Sequence, residues 1–475
     1  MAVPRTIQRV NPLRLRVGER RILLLAVDLL IAVVSLGVAL LSWALRDEFF
    51  GLTRSFFERR IPGWYFLLPF FWILLLVELY DIRRAGSRKE TARGIAAAAL
   101  IGLLLYMIVY FTSDPGSLPR QSVLTFLLIA SLLTLAWRLL YIRIFMHAQF
   151  MRRVLLVGGG KAGAALLTIT NELWPPPFDL VGIVDDDPEK QGTNLEGHNI
   201  IGGSERLLDL INELQVSDII VAISGAMRGR MFQALLDAQE CGVEIIRMPR
   251  AYEELVGRVP IRLLEADWIL RSFVDEARVS VFYELGKRCL DIAGGLMGTL
   301  FLSFLTPFIT LATLIDSGRP IFYSQIRSGR GGQPYKILKF RTMRQDAEAD
   351  GKPQWAKEDD ERATRVGRFL RKTHLDELPQ FLNVLRGEMS LVGPRAERPE
   401  LVEMFQKHVP FYRARLLVKP GMTGWAQVNF PYASTIDETV NKLEYDLYYI
   451  KHRSLTMDLL IMLRTPATVL GFRGR

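Results

Sequence analysis

Leu290-Asp-Ile-Ala-Gly294-Gly295-Leu-Met-Gly298-Thr-Leu-Phe-Leu-Ser-Phe-Leu-Thr306-Pro307-Phe-Ile-Thr-Leu-Ala-Thr-Leu-Ile315 decides how this 475-residue chain is arranged. The run is apolar and, at ~1.5 Å per helical residue, long enough to cross an ~30 Å hydrocarbon core. A straight helix would place everything after Ile315 on the far side of a membrane. A proline deep in a helix removes a backbone hydrogen bond and clashes with the preceding turn, so Pro307 can instead bend the segment back towards the face it came from. We expect a re-entrant membrane helix over 290–315, broken at Pro307.

Working outward to the N-terminus, four more apolar runs stand nearly free of charge: Ile22–Leu45, Pro62–Tyr80, Gly94–Phe111 and Ser122–Phe145. Their lengths predict a bundle of four transmembrane helices. Arginines crowd the start of the first run, which exceeds a signal-peptide core and lacks a small-residue cleavage site after it, so the N-terminus is expected to be retained. Arg5, Arg9, Arg14, Arg16, Arg20 and Arg21 precede the first helix, and Arg83, Arg84, Arg88, Lys89 and Arg93 fill the second loop. The first loop has Arg46, Arg54, Arg59 and Arg60, and the third only Arg120. This bias puts both the N-terminus and the second loop in the cytoplasm, and an even number of spans returns the chain there. Asp28 and Arg138 share a depth about two turns from the inner end, and a charge in hydrocarbon is costly unless paired, so the two are expected to meet.

The formal charge of +10 is concentrated beside membrane segments, where it suits anionic headgroups; no nucleic-acid partner is expected. Cys241 and Cys289 are far apart, with no CxxC and no histidine cluster, which excludes a disulfide framework or a zinc site.

From Arg152 short β-rich runs (Val154–Val157, Leu180–Val184, Ile219–Ile223, Val243–Met248) alternate with helix-like stretches at 162–173, 204–215 and 229–240. This predicts a Rossmann-like parallel α/β module. Gly158-Gly-Gly160-Lys-Ala-Gly163 follows its first strand, and Asp185-Asp186-Asp187 ends its second. Gly158, Gly160 and Gly163 would let backbone approach a pyrophosphate at a helix N-terminus, and Asp185 could accept ribose hydroxyls. The same acids, followed by Pro188, equally suit a strand-ending turn, and nothing downstream supplies redox chemistry. The expected organisation is 1–145 transmembrane helices, 146–265 α/β module, 266–286 linker and 287–475 a mixed α/β catalytic domain behind the re-entrant helix.

Beyond the apolar run, Gly318-Arg-Pro-Ile-Phe-Tyr-Ser-Gln-Ile-Arg327 and Tyr335-Lys336-Ile-Leu-Lys339-Phe-Arg341 read as two strands about a glycine-rich bend. Alternation would set Lys339 and Arg341 on one face, as a phosphate cradle or as a solvated edge. Then come Arg371-Lys-Thr-His374-Leu-Asp376-Glu377-Leu-Pro379-Gln380, Ser390-Leu-Val-Gly393-Pro394-Arg395, Lys419-Pro-Gly421-Met-Thr-Gly424-Trp425-Ala-Gln427-Val-Asn429 and Lys442-Leu-Glu-Tyr445-Asp-Leu-Tyr-Tyr449-Ile-Lys451.

In this order, over Lys287 to Thr465, the motifs resemble the bacterial sugar transferase domain of monotopic phosphoglycosyl transferases. With four spans and an α/β module ahead of it, the chain is similar to the large members that begin O-antigen, capsule or exopolysaccharide repeats. The resemblance implies that Asp376 is the nucleophile and magnesium ligand, Glu377 its dyad partner, Arg395 and Arg371 phosphate contacts, and Pro307 the helix break. It implies a UDP-sugar and undecaprenyl phosphate as substrates, glucose or galactose as first candidates for the sugar, Mg2+ as cofactor, contact with membrane lipid, and a bacterial inner-membrane location with both soluble domains cytoplasmic. It also admits a homodimer. Ala396 departs from the pattern, which often has a second proline there. The residues agree with the implied chemistry: a carboxylate can attack phosphorus and split one difficult transfer into two displacements, while cations neutralise the charge that develops.

Two other readings compete. A membrane NAD-dependent nucleotide-sugar dehydratase would need another dinucleotide loop, and the Tyr-x-x-x-Lys at Tyr283 and Lys287 has no glycine fingerprint after it. A non-catalytic nucleotide-binding scaffold would leave the Asp376-Glu377 pair without a purpose.

Overall fold

The computed structural model describes residues 15, 17–47, 51–112, 120–147, 150–225, 227, 229–263, 280–344, 362–430 and 435–469. Residues 266–279 of the expected linker, and Arg5, Arg9, Arg14 and Arg16, lie outside them. The chain forms two compact units, Met1–Leu255 and Val256–Arg475.

In the first unit α1 (Val17–Ala44), α5 (Arg88–Thr112) and α6 (Arg120–Phe145) contain spans long and apolar enough to cross a membrane. Short helices α2 (Arg54–Arg59), α3 (Leu68–Leu75) and α4 (Ile82–Gly86) lie between α1 and α5. The bundle buries small and aromatic residues such as Ala32, Ala39, Phe56, Tyr65 and Trp72, and turns Ile22, Leu30, Leu100 and Leu128 outward. An apolar exterior is stable in lipid, and small residues let helices approach.

The run expected as one helix over Pro62–Tyr80 departs from that expectation. It is a 3-10 turn (Gly63–Leu67), α3, and a second 3-10 turn (Val77–Tyr80). Pro69 has no N–H to offer the Tyr65 carbonyl four residues back, and the N–H of Leu68 takes that carbonyl instead, closing a 3-10 turn. The apolar helical stretch of this run, Gly63–Leu75, is shorter than the spans of α1, α5 and α6.

Asp28 and Arg138 meet. Arg138 Nη2 donates to Asp28 Oδ2 at 2.6 Å and Nη1 to the Leu79 carbonyl at 2.9 Å, with both side chains fully buried. Removing either partner strands a buried charge, so Asp28→Ala and Arg138→Ala are each expected to cost ~3–5 kcal/mol, and the double variant less than their sum. A thermal-unfolding cycle measures this; additive losses would mean the two charges do not stabilise one another.

The α/β part carries β1 (Arg153–Val157), α7 (Lys161–Glu172), β2 (Asp179–Val184), β3 (Asn194–Leu195), β4 (His198–Gly202), α8 (Leu207–Glu213), β5 (Asp218–Val221), α9 (Gly229–Glu240), β6 (Glu244–Arg247) and α10 (Met248–Val256). Its six strands lie in the order β3-β4-β2-β1-β5-β6, parallel except for β3 against β4. The β3–β4 hairpin is absent from the sequence expectation. Asn194 and Glu196 are poor strand formers, but Glu196 and Gly197 both take positive φ (50° and 89°), which suits a two-residue hairpin loop.

The second unit opens with α11 (Val281–Ser317), a 37-residue helix with Pro307 inside it. The strands β7 (Phe322–Ser328) and β8 (Pro334–Phe340) pair antiparallel across the glycine-rich bend, where Gly331 and Gly332 take φ of 67° and 80°. Then follow α12 (Arg365–Lys372), α13 (Gln380–Arg386), β9 (Ser390–Val392), α14 (Pro399–His408), β10 (Gly421–Thr423), α15 (Trp425–Asn429), α16 (Ile436–His452) and α17 (Leu455–Val469). β9 and β10 form a parallel pair. α11 lies tight against α13 and β9: a Cβ at Gly298 would sit 2.4 Å from the Phe381 ring, and one at Gly294 2.5 Å from Leu391. Its other side exposes Met297, Leu300, Phe304, Phe308 and Ile315.

Val259 and Ile261, before the sequence boundary at 265, are buried in the core of this unit with Leu443, Leu447 and Ile450. Beside them Val259 N–H donates to the Glu444 carbonyl, and Arg258 lies 3.6 Å from the Glu444 carboxylate. Burial raises the Glu444 carboxyl to about 7 despite Arg258. A carboxyl whose folded value exceeds its unfolded one opposes folding once ionised, so this unit should lose stability as pH rises from about 4.5 towards 7. Glu444→Gln is expected to add about 3 kcal/mol at pH 8 and almost nothing near pH 4, as read from denaturant unfolding at the two pH values.

Candidate active site

The pair picked out in the sequence sits on one 3-10 turn, Leu375–Glu377, between α12 and α13. His374 before it takes a left-handed φ of 55°, which ends α12, and Pro379 starts α13. Two elements bring cations to Glu377. Lys339 Nζ, from β8, donates to Glu377 Oε1 at 2.7 Å, and Arg395 Nη2, just past β9, donates to the same oxygen at 2.9 Å. Burial alone would raise Glu377, but Arg395 and Lys339 outweigh it and hold the carboxyl far below its ordinary range.

Asp376 is only 8% exposed, and its carboxylate makes no hydrogen bond or ion pair among the described residues. Burial raises it above the usual aspartate value; Lys339, His374 and Arg395 offset part of the rise, while Glu377 adds to it. The two adjacent acids are thus driven apart, one fixed as a clamped anion and the other a poorly solvated carboxylate.

A cavity of about 1160 Å³ opens here, lined by His374, Leu375, Glu377 and Arg395. Its lining combines polar residues, among them Arg327, Arg398, Lys442 and Asp446, with apolar ones, among them Met297, Phe381, Met462 and Pro466 from α11, α13 and α17. Such a mixed lining suits a ligand with both charged and apolar parts.

Arg341 is not part of this site. β8 ends at Phe340, so strand alternation stops, and Arg341 Nη2 instead donates to the carbonyls of Ser317 and Gly318 and to Ser317 Oγ, capping α11. Its pairing with Lys339 as a phosphate cradle is therefore not what the structure builds. Arg371, on the last turn of α12, makes no side-chain hydrogen bond or ion pair among the described residues and is absent from the cavity lining. Tyr283 and Lys287, the pair a dehydratase would use, are both bonded to buried Asp458. In the α/β part Gly158 takes a φ of 109°, and a Cβ on Gly163 would lie 2.2 Å from the Gly158 carbonyl. Asp185 Oδ2 accepts from Gly159 N–H at 2.7 Å and Lys190 Nζ at 3.4 Å, so the acid expected to clamp a ribose closes on its own glycine loop.

Several supporting residues escaped the sequence reading. Arg415 Nη2 donates to the Arg395 carbonyl at 3.0 Å, and Arg327 Nη1 to that of Ala396 at 3.2 Å, fixing the turn that lacks its second proline. Glu397, approached by Lys442 at 3.1 Å and Arg415 at 3.5 Å, is brought down to about 2 against the upward push of burial. Asn383 ties α13 to β8, accepting from Leu338 N–H and donating to the Lys336 carbonyl, which sets Lys339 against Glu377. The i, i+4 spacing of Lys442 and Asp446 was one available signal; Arg415 and Asn383 had none.

A family described as bacterial sugar transferase matches residues 282–472, and one described as CoA-binding domain matches 75–249. The UDP-glucose:undecaprenyl-phosphate glucose-1-phosphate transferase of Escherichia coli (strain K12) is 32% identical over 328 residues, 67% of this chain and 68% of its own length. The galactosyl transferase CpsE of Streptococcus agalactiae serotype III is 31% identical over 369 residues, 74% of this chain and 80% of its own. The chain belongs to the bacterial sugar transferase family. A 39% identical relative, the UDP-N-acetylgalactosamine-undecaprenyl-phosphate N-acetylgalactosaminephosphotransferase of Aeromonas hydrophila, is matched over 49% of this chain and 54% of its own length, so the chain spans about half of that relative. The sugar transferase region begins at the second residue of α11 and runs through α17, so the long apolar helix and the Asp376-Glu377 turn lie within it.

Proposed function

We propose that this protein transfers a hexose 1-phosphate from a UDP-sugar to undecaprenyl phosphate, releasing UMP and forming the polyprenyl diphosphate sugar, as a first membrane step of polysaccharide assembly. The observation that carries the reading is the buried Asp376, whose carboxylate makes no hydrogen bond or ion pair among the described residues, beside Glu377 clamped by Lys339 and Arg395; Glu377 and Arg395 line the cavity, while Asp376 and Lys339 lie just outside its lining. In the first displacement an Asp376 oxygen attacks the sugar-bearing phosphorus, and the phosphoanhydride bond to UMP breaks. In the second, an oxygen of undecaprenyl phosphate attacks the same phosphorus and Asp376 leaves as carboxylate. Arg395, which lines the cavity, and Lys339, bonded to the same Glu377 oxygen, would offset phosphate charge as it develops; the phosphate role expected of Arg371 has no contact among the described residues in support of it.

Magnesium suits this site in its donor chemistry. No group of three His, Cys, Asp or Glu clusters among the described residues, but Mg2+ usually takes one or two carboxylates with substrate phosphates and waters. Asp376 would hold it, since Glu377 is already paired; bound there, the ion would neutralise diphosphate charge.

The helix α11, which runs unbroken through Pro307, is read as re-entrant, with Pro307 as the point of bending and the catalytic unit on the cytoplasmic side of the inner membrane, the side that also holds the α/β part. Contacts at both ends of α11 support this. Lys287 and Asp291 near its start bond to Val392 and β9, while near its end Asp316 Oδ2 accepts from Val366 N–H at 2.9 Å and Arg341 caps Ser317. Both ends of one helix bonding to the same folded unit fit a helix that enters and leaves the membrane on one side.

The test is UMP release across a panel of UDP-sugars with and without undecaprenyl phosphate. Exchange of labelled UMP into UDP-sugar without lipid is the expected sign of the covalent intermediate. UMP release that strictly requires the lipid, with no exchange, would remove the two-displacement mechanism.

A further inference from the structure

We infer that Lys287, Arg288 and Asp291, on the first turns of α11, are positioning residues that align Arg395 with Glu377. The membrane helix would then set the geometry of the site as well as anchor the unit, an inference that rests on the transferase reading.

Each of the three bonds to backbone in a segment that carries one half of the pair. Lys287 Nζ donates to the Val392 carbonyl at 3.0 Å, and Asp291 Oδ1 accepts from Leu391 N–H and Ser390 Oγ, both at 2.9 Å. Together they hold all of β9, and the chain runs from Val392 through Gly393 and Pro394 directly to Arg395. Arg288 donates from Nη1 to the Val384 carbonyl at 2.9 Å and from Nη2 to the Leu385 carbonyl at 2.8 Å. Those carbonyls close the last turn of α13, the helix that starts three residues after Glu377. A cation at a helix C-terminus satisfies open carbonyls and complements the dipole.

The three are spaced to lie on neighbouring positions of one helix turn, and none of them lines the cavity, whose α11 members are Gly294, Met297 and Gly298. Lys287 is itself held: Asp458 Oδ2 lies 3.0 Å and Tyr449 Oη 3.2 Å from its Nζ, and Tyr449 donates to Asp458 at 2.8 Å. Buried Asp458 and Asp291 therefore leave this cluster little freedom to shift. The close Gly298–Phe381 and Gly294–Leu391 approaches prolong the same contact along α13 and β9. Loosening the clamp would let Arg395 drift from Glu377 without removing any side chain from the cavity lining.

The experiment uses the full chain in membranes and steady-state UMP release. Lys287→Met, Arg288→Met and Asp291→Asn are each expected to lower kcat roughly 10- to 100-fold with KM for the UDP-sugar changed less than about threefold, as for a misplacement near 1 Å. In an Arg395→Ala background, Lys287→Met should lower kcat by less than about threefold further, because its effect passes through Arg395. Unchanged kcat in the three variants, a full multiplicative loss on top of Arg395→Ala, or a loss that merely follows a fall in melting temperature would overturn the inference. Asp291→Asn keeps the side-chain shape and serves if the methionine variants fail to fold. A wild-type chain that releases no UMP defeats the transferase reading itself; an active wild type with undiminished variants defeats this inference alone.

Discussion

Asp376→Asn is expected to abolish UMP release, a loss on the order of 10⁴-fold or more, because an amide cannot form the acyl phosphate. The variant should still fractionate with membranes, since the Asp376 side chain makes no hydrogen bond or ion pair among the described residues. Its melting temperature at pH 7 should equal or exceed that of the wild type. Burial raises the Asp376 carboxyl above its ordinary value, so the ionised form opposes folding at neutral pH, and the neutral amide removes that penalty. Loss of activity together with retained or higher stability separates a nucleophile from a structural acid. Full turnover by Asp376→Asn would sink the mechanism. The same shift sets the pH profile: the nucleophile acts as carboxylate, so wild-type rates should fall as pH drops through a value above the usual aspartate range. Lys339→Met removes a cation that favours the ionised form and should move that acid limb upward.

Glu377→Gln is the second large effect, roughly 10²- to 10³-fold in kcat, the scale of removing a preorganised electrostatic contact. In the wild type a single Glu377 oxygen receives both Lys339 and Arg395, with side-chain exposures of 20% for Lys339 and 36% for Arg395. The amide keeps one acceptor but no charge, so two cations are left facing each other with nothing to hold them at the phosphate position. The loss should be larger in kcat than in KM and should deepen as ionic strength rises, because a neutral residue no longer competes with salt for Lys339 and Arg395. Steady-state kinetics at two salt concentrations read this out. A variant with normal kcat would show that the clamp on Glu377 has no part in the reaction.

Much of this was legible in the residues. Charge-free runs and arginine flanks foretold three of the long spans, strand alternation around Gly331-Gly332 foretold the hairpin, and equal depth foretold the Asp28–Arg138 pair. Each rests on a periodicity or a local cost that tertiary contacts reinforced. Where a reading missed, a specific contact had intervened. Pro69 set the first 3-10 turn of the second run, and the end of β8 at Phe340 released Arg341 from the site to cap α11.

By itself the sequence determined the membrane segments, the α/β alternation and the position of Asp376-Glu377, because hydrophobic length, period and chain-adjacent motifs are local properties. Only the tertiary structure decided what each acid does. Glu377 became the clamped anion, and Asp376 the acid with no side-chain bond among the described residues, because Lys339 and Arg395 reach Glu377 from segments far apart in sequence. Burial and cross-chain charge are sums over such distant neighbours, and no window along the chain contains them.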